Sequence, residues 1–355
     1  LTSFITFIGV IFFIGCSTNY KYYTNVIENY NSFNILDIFL NKGETKDLDF
    51  KEQFKNFNID ITKIIAKSSD ESVFQVKGNT ITAIGMGYAT VEVEVYSKKE
   101  STCYYTTSAN VYVIEESNKD LIEIYSAQDL ANMNQNKKGF YILKNNIDLK
   151  EWGDWNPIGN LPTHKGENNS FSGMLINPDG YKISNLNIKT SKNLPQGVYG
   201  GCNGGLFGLL DHAYIDGVIL ENILIDLTDF DGELSSSAGG IAAQDLNRVI
   251  RNCSVEGVVI SQDRSGGIVG GSSWGKILDC NFNGVVQSTI HAAGGIAGFG
   301  YIIKNCTVNA IVNGDFASGG ILGFKTTEYL ILDCVFSGEL IGNGFKNENI
   351  GYIYS

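Results

Sequence analysis

The sequence predicts an all-β chain, a small β-sandwich followed by a right-handed parallel β-helix of about six coils. Three observations lead there. A residue pattern recurs at a period near 27 through the C-terminal half. Glycine is abundant and proline scarce, 41 against 4, which suits many tight turns between strands rather than a proline-rich disordered tail. Upstream of the repeat lie short runs of strict alternation, such as Val91-Glu92-Val93-Glu94-Val95, the pattern of a half-exposed strand.

The chain opens on an apolar run, residues 4–15, that is too short to span a bilayer as a helix and has the length of a signal-peptide core. It ends at Phe13-Ile14-Gly15-Cys16, followed by Ser17-Thr18-Asn19. Small residues before a cysteine after such a run resemble a bacterial lipobox. The resemblance implies that residues 1–15 are a lipoprotein signal peptide, that Cys16 takes up a diacylglyceryl group, and that the chain is held at the cell envelope by several acyl chains, on the outer membrane or cell surface. The alternative for this segment is a buried N-terminal strand with an incidental cysteine. Residues 17–33 are polar and rich in Asn and Tyr, and with Cys16 they read as a tether over 16–33.

Residues 34–116 read as the sandwich, with turn signals at Asn41-Lys42-Gly43, Lys77-Gly78-Asn79 and Gly85-Met86-Gly87 separating the strands. The stretch from Ser68 to Val76, followed by Gly78-Asn79-Thr80-Ile81-Thr82-Ala83-Ile84-Gly85-Met86-Gly87-Tyr88-Ala89-Thr90-Val91, resembles the bacterial immunoglobulin-like group 2 domain. That resemblance implies a spacer or binding module without chemistry of its own.

Residues 117–355 carry the repeat. Cys253, Cys280, Cys306 and Cys334 are spaced by 27, 26 and 28 residues. Each has an isoleucine three residues before it (Ile250, Ile277, Ile303, Ile331) and Asn or Asp one before (Asn252, Asp279, Asn305, Asp333). Val or Phe stands two after (Val255, Phe282, Val308, Phe336), and Gly or Ala four after. A Gly-Gly-Ile precedes each copy, at 239–241, 266–268, 294–296 and 319–321. Two earlier copies, with an apolar residue for the cysteine, align Ile183, Asn185, Leu186 and Ile188 with Leu220, Asn222, Ile223 and Ile225. A period this long, built of short strands, means coils stacked along an axis at about 4.8 Å each, with equivalent side chains in ladders. One coil cannot bury its own core, so the apolar columns point inward. Asn and Asp at the turn position are expected to bond to backbone across and along the stack. The repeats resemble the GLUG motif, and Tyr141-Ile142-Leu143, Trp155-Asn156-Pro157-Ile158-Gly159 and Phe171-Ser172-Gly173 resemble the segment that often precedes it. The resemblance covers residues 122–355 and implies an adhesin-like surface protein. Ser126 and Asp129 have capping-box spacing, which predicts a short helix over 126–136 closing the open end of the stack.

Composition narrows the function. Net charge is −12 and the only arginines are Arg248, Arg251 and Arg264, with no basic cluster, so nucleic acid is not an expected partner. There is no His-Glu-x-x-His motif among His164, His212 and His291. The ladder cysteines recur along a line, which tetrahedral zinc cannot use, and read as buried apolar side chains; an occasional disulfide is the alternative. Gly271-Ser272-Ser273-Trp274-Gly275 matches a nucleophile elbow in letters only, since it occupies a repeat slot filled by Gly298-Phe299-Gly300 in the next coil. Asp226, Asp229, Asp231 and Glu233 cluster around Gly232. Asp229, Asp231 and Glu233 are oxygen ligands that suit calcium, against the plainer reading of a solvated acidic loop; no other cofactor is expected. Trp152 and Trp155, near Tyr181, are candidates for stacking on sugar rings, with a core role as the alternative for Trp155. The early coils are longer, with excess residues at 189–203 and 228–237 on one corner, and insertions on a solenoid gather on one face. Asp263, Arg264, His291 and Asp315 continue that line and complete the expected ligand-binding face.

The function these signals favour is a lipid-anchored surface binding protein or adhesin without catalytic activity. Its partners would be the membrane, through the N-terminal lipid, and a glycan or a host or cell-surface protein. A polysaccharide lyase or glycoside hydrolase is the alternative, since parallel β-helices often act on acidic glycans. Such an enzyme needs positioned carboxylates, or calcium plus a basic residue, in a groove, and the acidic balance works against a polyuronate. A structural spacer in an envelope assembly is the third reading.

Overall fold

The computed structural model describes residues 20–27, 37–49, 61–97, 103–115, 121–159, 169–189, 202–230, 236–246, 249–273, 275–342 and 350–351. They belong to two compact units, residues 29–119 and residues 1–28 with 120–355. No helix among the described residues is long and apolar enough to cross a membrane.

The smaller unit has two sheets around one core. One is four-stranded, in the order Asp37–Asn41, Cys103–Ile114, Gly87–Ser97, Ile61–Ser68; the other is three-stranded, with Thr80–Ala83 between Thr45–Asp47 and Phe74–Lys77. The alternation at 91–95 works as expected. Val91, Val93 and Val95 are buried with Phe74, Ile81 and Val111, while Glu94 reaches outward to Lys67 at 3.4 Å.

The larger unit is a parallel β-helix. Six short strands, Asn203–Gly204, Ser237–Gly239, Arg264–Gly266, Ala292–Gly294, Ala317–Gly319 and Ile350–Gly351, make one parallel sheet. The other rungs join one continuous 19-stranded sheet that bends around the stack. Backbone register reproduces the repeat columns: Ile250, Ile277, Ile303 and Ile331 pair in turn, as do Val255, Phe282, Val308 and Phe336. Both columns are buried, and each such side chain contributes about 1.5–3 kcal/mol by leaving water. The column Gly257, Gly284, Ala310, Gly338 needs small residues because coils approach closely there. A Cβ on Gly284 would lie 1.9 Å from the Gly257 carbonyl oxygen, and its φ is +145°.

The two early copies are in register with each other, Ile183 against Leu220 and Ile188 against Ile225, but out of phase with the later four. Ile250 pairs with Ile215, not with Leu220, and Val255 pairs with Leu220. The place held by Asn252 in the later coils is therefore held by Gly217 in the earlier one, both at positive φ (52° and 77°). Asn185 and Asn222, at φ 60° and 54°, turn a neighbouring corner. The segment before the repeats also stacks: Ile122–Ile124, Phe140–Leu143 and Met174–Ile176 continue the column that runs on through Tyr214–Asp216. The solenoid is thus longer than six coils.

The Asn/Asp column follows from backbone geometry. Asn252, Asp279, Asn305 and Asp333 all lie in the left-handed region, φ 51–54°, where these two residue types are the best tolerated after glycine. Their backbone N–H groups donate along the stack, Asp279 to the Lys304 carbonyl at 2.9 Å and Asn305 to the Leu332 carbonyl at 2.9 Å. The side chains, expected to bond to backbone, bond instead to one another: Asn305 Nδ2 donates to Asp279 Oδ1 at 2.9 Å and Asn185 Nδ2 to Asp148 Oδ1 at 2.7 Å.

Both ends of the stack are covered. At one, the helix Ala127–Asn132 starts at Ser126, whose hydroxyl accepts from the Asp129 N–H at 3.2 Å, and it sinks Leu130 and the following Met133 into the core. At the other, Tyr20–Ile27 pairs antiparallel with residues 330–338 of the last coil. The stretch read as a tether thus contains a strand of the solenoid.

The left-handed column gives a direct test. Asn305→Ala should cost about 1–2 kcal/mol, because alanine has no compensation at positive φ, whereas Asn305→Gly should stay within about 1 kcal/mol of wild type. Urea denaturation of both variants would measure this. Equal stability of the two would mean that backbone conformation is not what selects Asn305.

Candidate functional site

Parallel register turns sequence columns into spatial ones. Arg264, Ala292 and Ala317 pair in succession, so Asp263, His291 and Phe316, each one residue earlier, form the adjacent column. On the strand that follows each Gly-Gly-Ile corner, Gln244, Gly271, Phe299 and Phe324 pair in succession. The two columns meet at one edge of the solenoid. His291 stacks on Phe316 (ring centroids 4.9 Å apart, planes at 14°) and on Phe299 (5.5 Å, 18°), and Phe299 packs on Phe324 at 5.1 Å. All three phenylalanines are half-buried.

Arg264 completes the cluster from the preceding coil. Its column neighbour across the edge is Gly271, which has no side chain, and Arg264 lies over that position: a Cβ on Gly271 would meet Arg264 Cδ at 3.4 Å and Nη1 at 3.6 Å. From there the guanidinium reaches the face of Phe299, 4.5 Å from its centroid. Its Nε lies 3.2 Å from Asp263 Oδ2, and His291 Nδ1 lies 3.8 Å from Asp263 Oδ1. Neither Arg264 Nε nor His291 Nδ1 makes a well-formed hydrogen bond with the protein, although both atoms are shielded from solvent. The side chains themselves remain 39% and 32% exposed. Ring pairs stabilise by about 0.5–1.5 kcal/mol each, which accounts for stacking the phenylalanines. The Arg264 and His291 nitrogens beside the rings face Asp263 in ion-pair rather than hydrogen-bond geometry.

Of the expected binding face, Asp263, Arg264 and His291 come together. Asp315 is exposed one position beyond that column, its N–H donating to the Ser288 carbonyl at 3.2 Å. Asp226 is committed locally: its Oδ1 accepts from the Thr228 N–H at 3.0 Å and hydroxyl at 2.7 Å. Asp229 is exposed. Asp231 and Glu233 lie outside the described residues, as do Cys16 and most of the 189–203 and 228–237 loops. Among the described residues no three His, Cys, Asp or Glu side chains gather as a metal site would require. Gln262 Nε2 holds the base of the second loop, donating to the Phe230 carbonyl at 2.6 Å.

The two tryptophans part company. Trp155 is 1% exposed and donates through Nε1 to the Leu206 carbonyl at 3.1 Å, so it is a core residue and not a sugar platform. Trp152 is 38% exposed, with its ring 5.9 Å from that of Trp155. The Gly271–Gly275 segment shows no elbow: Val269–Ser273 is a strand paired with Ala242–Leu246, and Ser272 is buried with its hydroxyl on Asp245 Oδ2 at 3.2 Å.

The ladder cysteines are buried free thiols, and so is Cys202. Each ladder thiol donates to the carbonyl two residues before it, as from Cys280 to Leu278 at 3.1 Å and Cys306 to Lys304 at 3.3 Å. Burial raises the pKa of Cys280 and Cys306 well above the ordinary thiol value. Burial and the nearby Asp229 carboxylate push Cys202 up to about 12.

Sequence reasoning missed Phe299, Phe316 and Phe324. The signal was the column itself, since a phenylalanine two residues after the Gly-Gly-Ile-x corner recurs in consecutive coils where glycine stood before.

No family model matches the chain. A stretch of 194 residues, 52% of the chain, is 26% identical to Halomucin of Haloquadratum walsbyi, and it covers 2% of that protein's length.

The thiols predict a pH dependence. A thiol whose pKa is higher folded than unfolded keeps its proton where the unfolded chain loses it. The stability it contributes is therefore whole below the unfolded value near 9.0 and falls as pH rises through the folded one, about 12 for Cys202. In the native protein Cys202, Cys253, Cys280, Cys306 and Cys334 should resist thiol reagents at pH 8 and react once denatured, as site-resolved labelling would show, and the thermal midpoint should fall as pH rises above 9. Rapid labelling of these thiols in the native fold would contradict the buried ladder.

Proposed function

We propose that the chain is a cell-envelope lipoprotein that binds a surface ligand along one edge of its β-helix, without catalysing a reaction. The observation that carries this reading is the meeting of Asp263, Arg264 and His291 with three half-buried phenylalanines over consecutive coils, with unpaired polar atoms among them. Solenoids commonly recognise partners through such ladders, because each coil repeats the same wall at a fixed rise. The recognition would be glycan or protein binding, on a protein of the GLUG-repeat type.

The envelope setting rests on the sequence: an apolar run of signal-peptide length ending at Cys16, then the segment 34–116 with its immunoglobulin-like group 2 pattern. The pairing of Tyr20–Ile27 with the last coil changes how such an anchor would act. A lipid on Cys16 would lie four residues before a strand of the solenoid. Against a lyase or hydrolase stands the self-stacked character of the site. Its rings and its one carboxylate, Asp263, engage each other, where a glycosidase places two carboxylates across a cleft.

The test is binding of the full chain in detergent micelles to arrays of glycans and matrix proteins, with release of soluble sugar followed in the same wells. Saturable binding without release is expected, weakened about tenfold by His291→Ala. Release of sugar would replace the binding reading with the enzymatic one, and no saturable binding on either array would leave the spacer role in its place.

A further inference from the structure

We propose that the edge formed by Arg264, Asp263, His291 and Phe299 takes a neutral, hydroxyl-rich sugar of a glycan chain; the inference rests on the binding role proposed above and names its ligand class. The chemistry of the edge points to this class by what each group leaves open. The Arg264 guanidinium makes an ion pair through Nε and covers Phe299 with its face; among the described residues its Nη atoms meet no hydrogen-bond acceptor, and with the side chain 39% exposed that end of the group can reach a ligand. Asp263 supplies acceptor oxygens beside that fork, at 3.2 Å from Arg264 Nε and 3.8 Å from His291 Nδ1. Side by side, a donor fork and a carboxylate match a pair of neighbouring hydroxyls, each of which both donates and accepts. The phenylalanine edges alongside offer apolar surface to the carbon-bound hydrogens of a sugar ring.

Charge excludes the other ligand classes. An anionic ligand drawn to Arg264 would meet Asp263 at contact distance, exposed Asp315 nearby, and a chain of net charge −12. A cation drawn to Asp263 would meet the guanidinium. A purely apolar ligand would strip water from the exposed ends of Arg264, His291 and Asp263 without replacing its hydrogen bonds. A neutral polyol satisfies both signs at once.

Gly271 makes the inference specific. Phe299 and Phe324 fill this column in the next two coils, whereas Gly271 leaves the space beside which Arg264 lies. Gly271→Phe would extend the ring column and displace the guanidinium, and Arg264→Ala would remove it. The experiment is affinity electrophoresis of the full chain through gels containing neutral polymers (glucan, mannan, xylan) or acidic ones (polygalacturonate, hyaluronan), with thermal melts of every variant. Retardation by at least one neutral polymer and by no acidic one is expected, with both variants weakened about tenfold or more at an unchanged melt. Should Gly271→Phe fail to fold, Arg264→Ala with its own melt carries the test, since a methyl group at position 271 would only touch Arg264 at ordinary contact distance. A preference for acidic polymers, neutral binding that both variants leave intact, or no retardation by any polymer would overturn the proposal. If the arrays meanwhile record saturable binding to a protein, the sugar assignment falls while the broader binding role stands.

Discussion

A coil of this solenoid is one strand layer thick along its axis, so no coil can bury its own apolar side chains. The core exists only because Ile277 sits under Ile303 and over Ile250, and Phe282 under Val308 and over Val255. Parallel pairing in fixed register is therefore the constraint from which the rest follows. It forces equivalent residues into columns, and it turns every local need of one coil into a need of its neighbours. Where coils come closest, Gly257, Gly284 and Gly338 have no room for a Cβ, and the column's remaining place is filled by the smallest side chain, Ala310. Where the chain turns between strands, the backbone enters the left-handed region at the same place in each coil, and Asn or Asp recurs there.

The same constraint governs polar groups and ends. Side chains in a column share their neighbours' hydrogen-bonding capacity, as in the Asn305–Asp279 bond and in the Cys280 and Cys334 sulfurs, which accept the backbone N–H of Cys253 and Cys306 in the preceding coil at 3.4 Å. A stack also has two terminal coils whose backbone groups face no further rung, and open edges invite pairing with other chains. Here a short helix closes one end with Leu130 and Met133, and the antiparallel strand Tyr20–Ile27 lies on the other. Antiparallel pairing suits a terminus, because it interrupts the parallel template that another coil would need.

What could be read in the sequence divides along physical lines. The four later coils were legible to the residue, because their lengths are nearly equal and each carries a cysteine in the core column. The two earlier copies slipped because Asn marks a left-handed turn without saying which corner it turns. Asn222 and Asn252 share a conformation and lie at different corners, while Gly217 fills the place of Asn252 with no side chain to announce it. The strand at Tyr20–Ile27 was hidden because its partner lies more than 300 residues away, and a polar, Asn-rich stretch reads as tether until its partner is known. At the site, Asp263, Arg264 and His291 were found by column alignment. The phenylalanines beside them were not, because an aromatic residue near a core strand is counted as core unless both columns at the edge are considered together.

The edge also shows how a repeat acquires a site without leaving its fold. Uniform columns give a uniform wall, and a uniform wall has no special place. Specificity arises where one column breaks. Between Gln244 and Phe299 the break is Gly271, and the long side chain of Arg264 from the neighbouring column occupies the position it frees. The guanidinium then ends on Phe299, one coil further along, next to the only carboxylate in the adjoining column, Asp263. The edge thus joins a charge and a carboxylate of one coil to a ring stack from the coils that follow. The stacking holds that geometry, and the exposed ends of Arg264 and His291 are what the proposed binding would use.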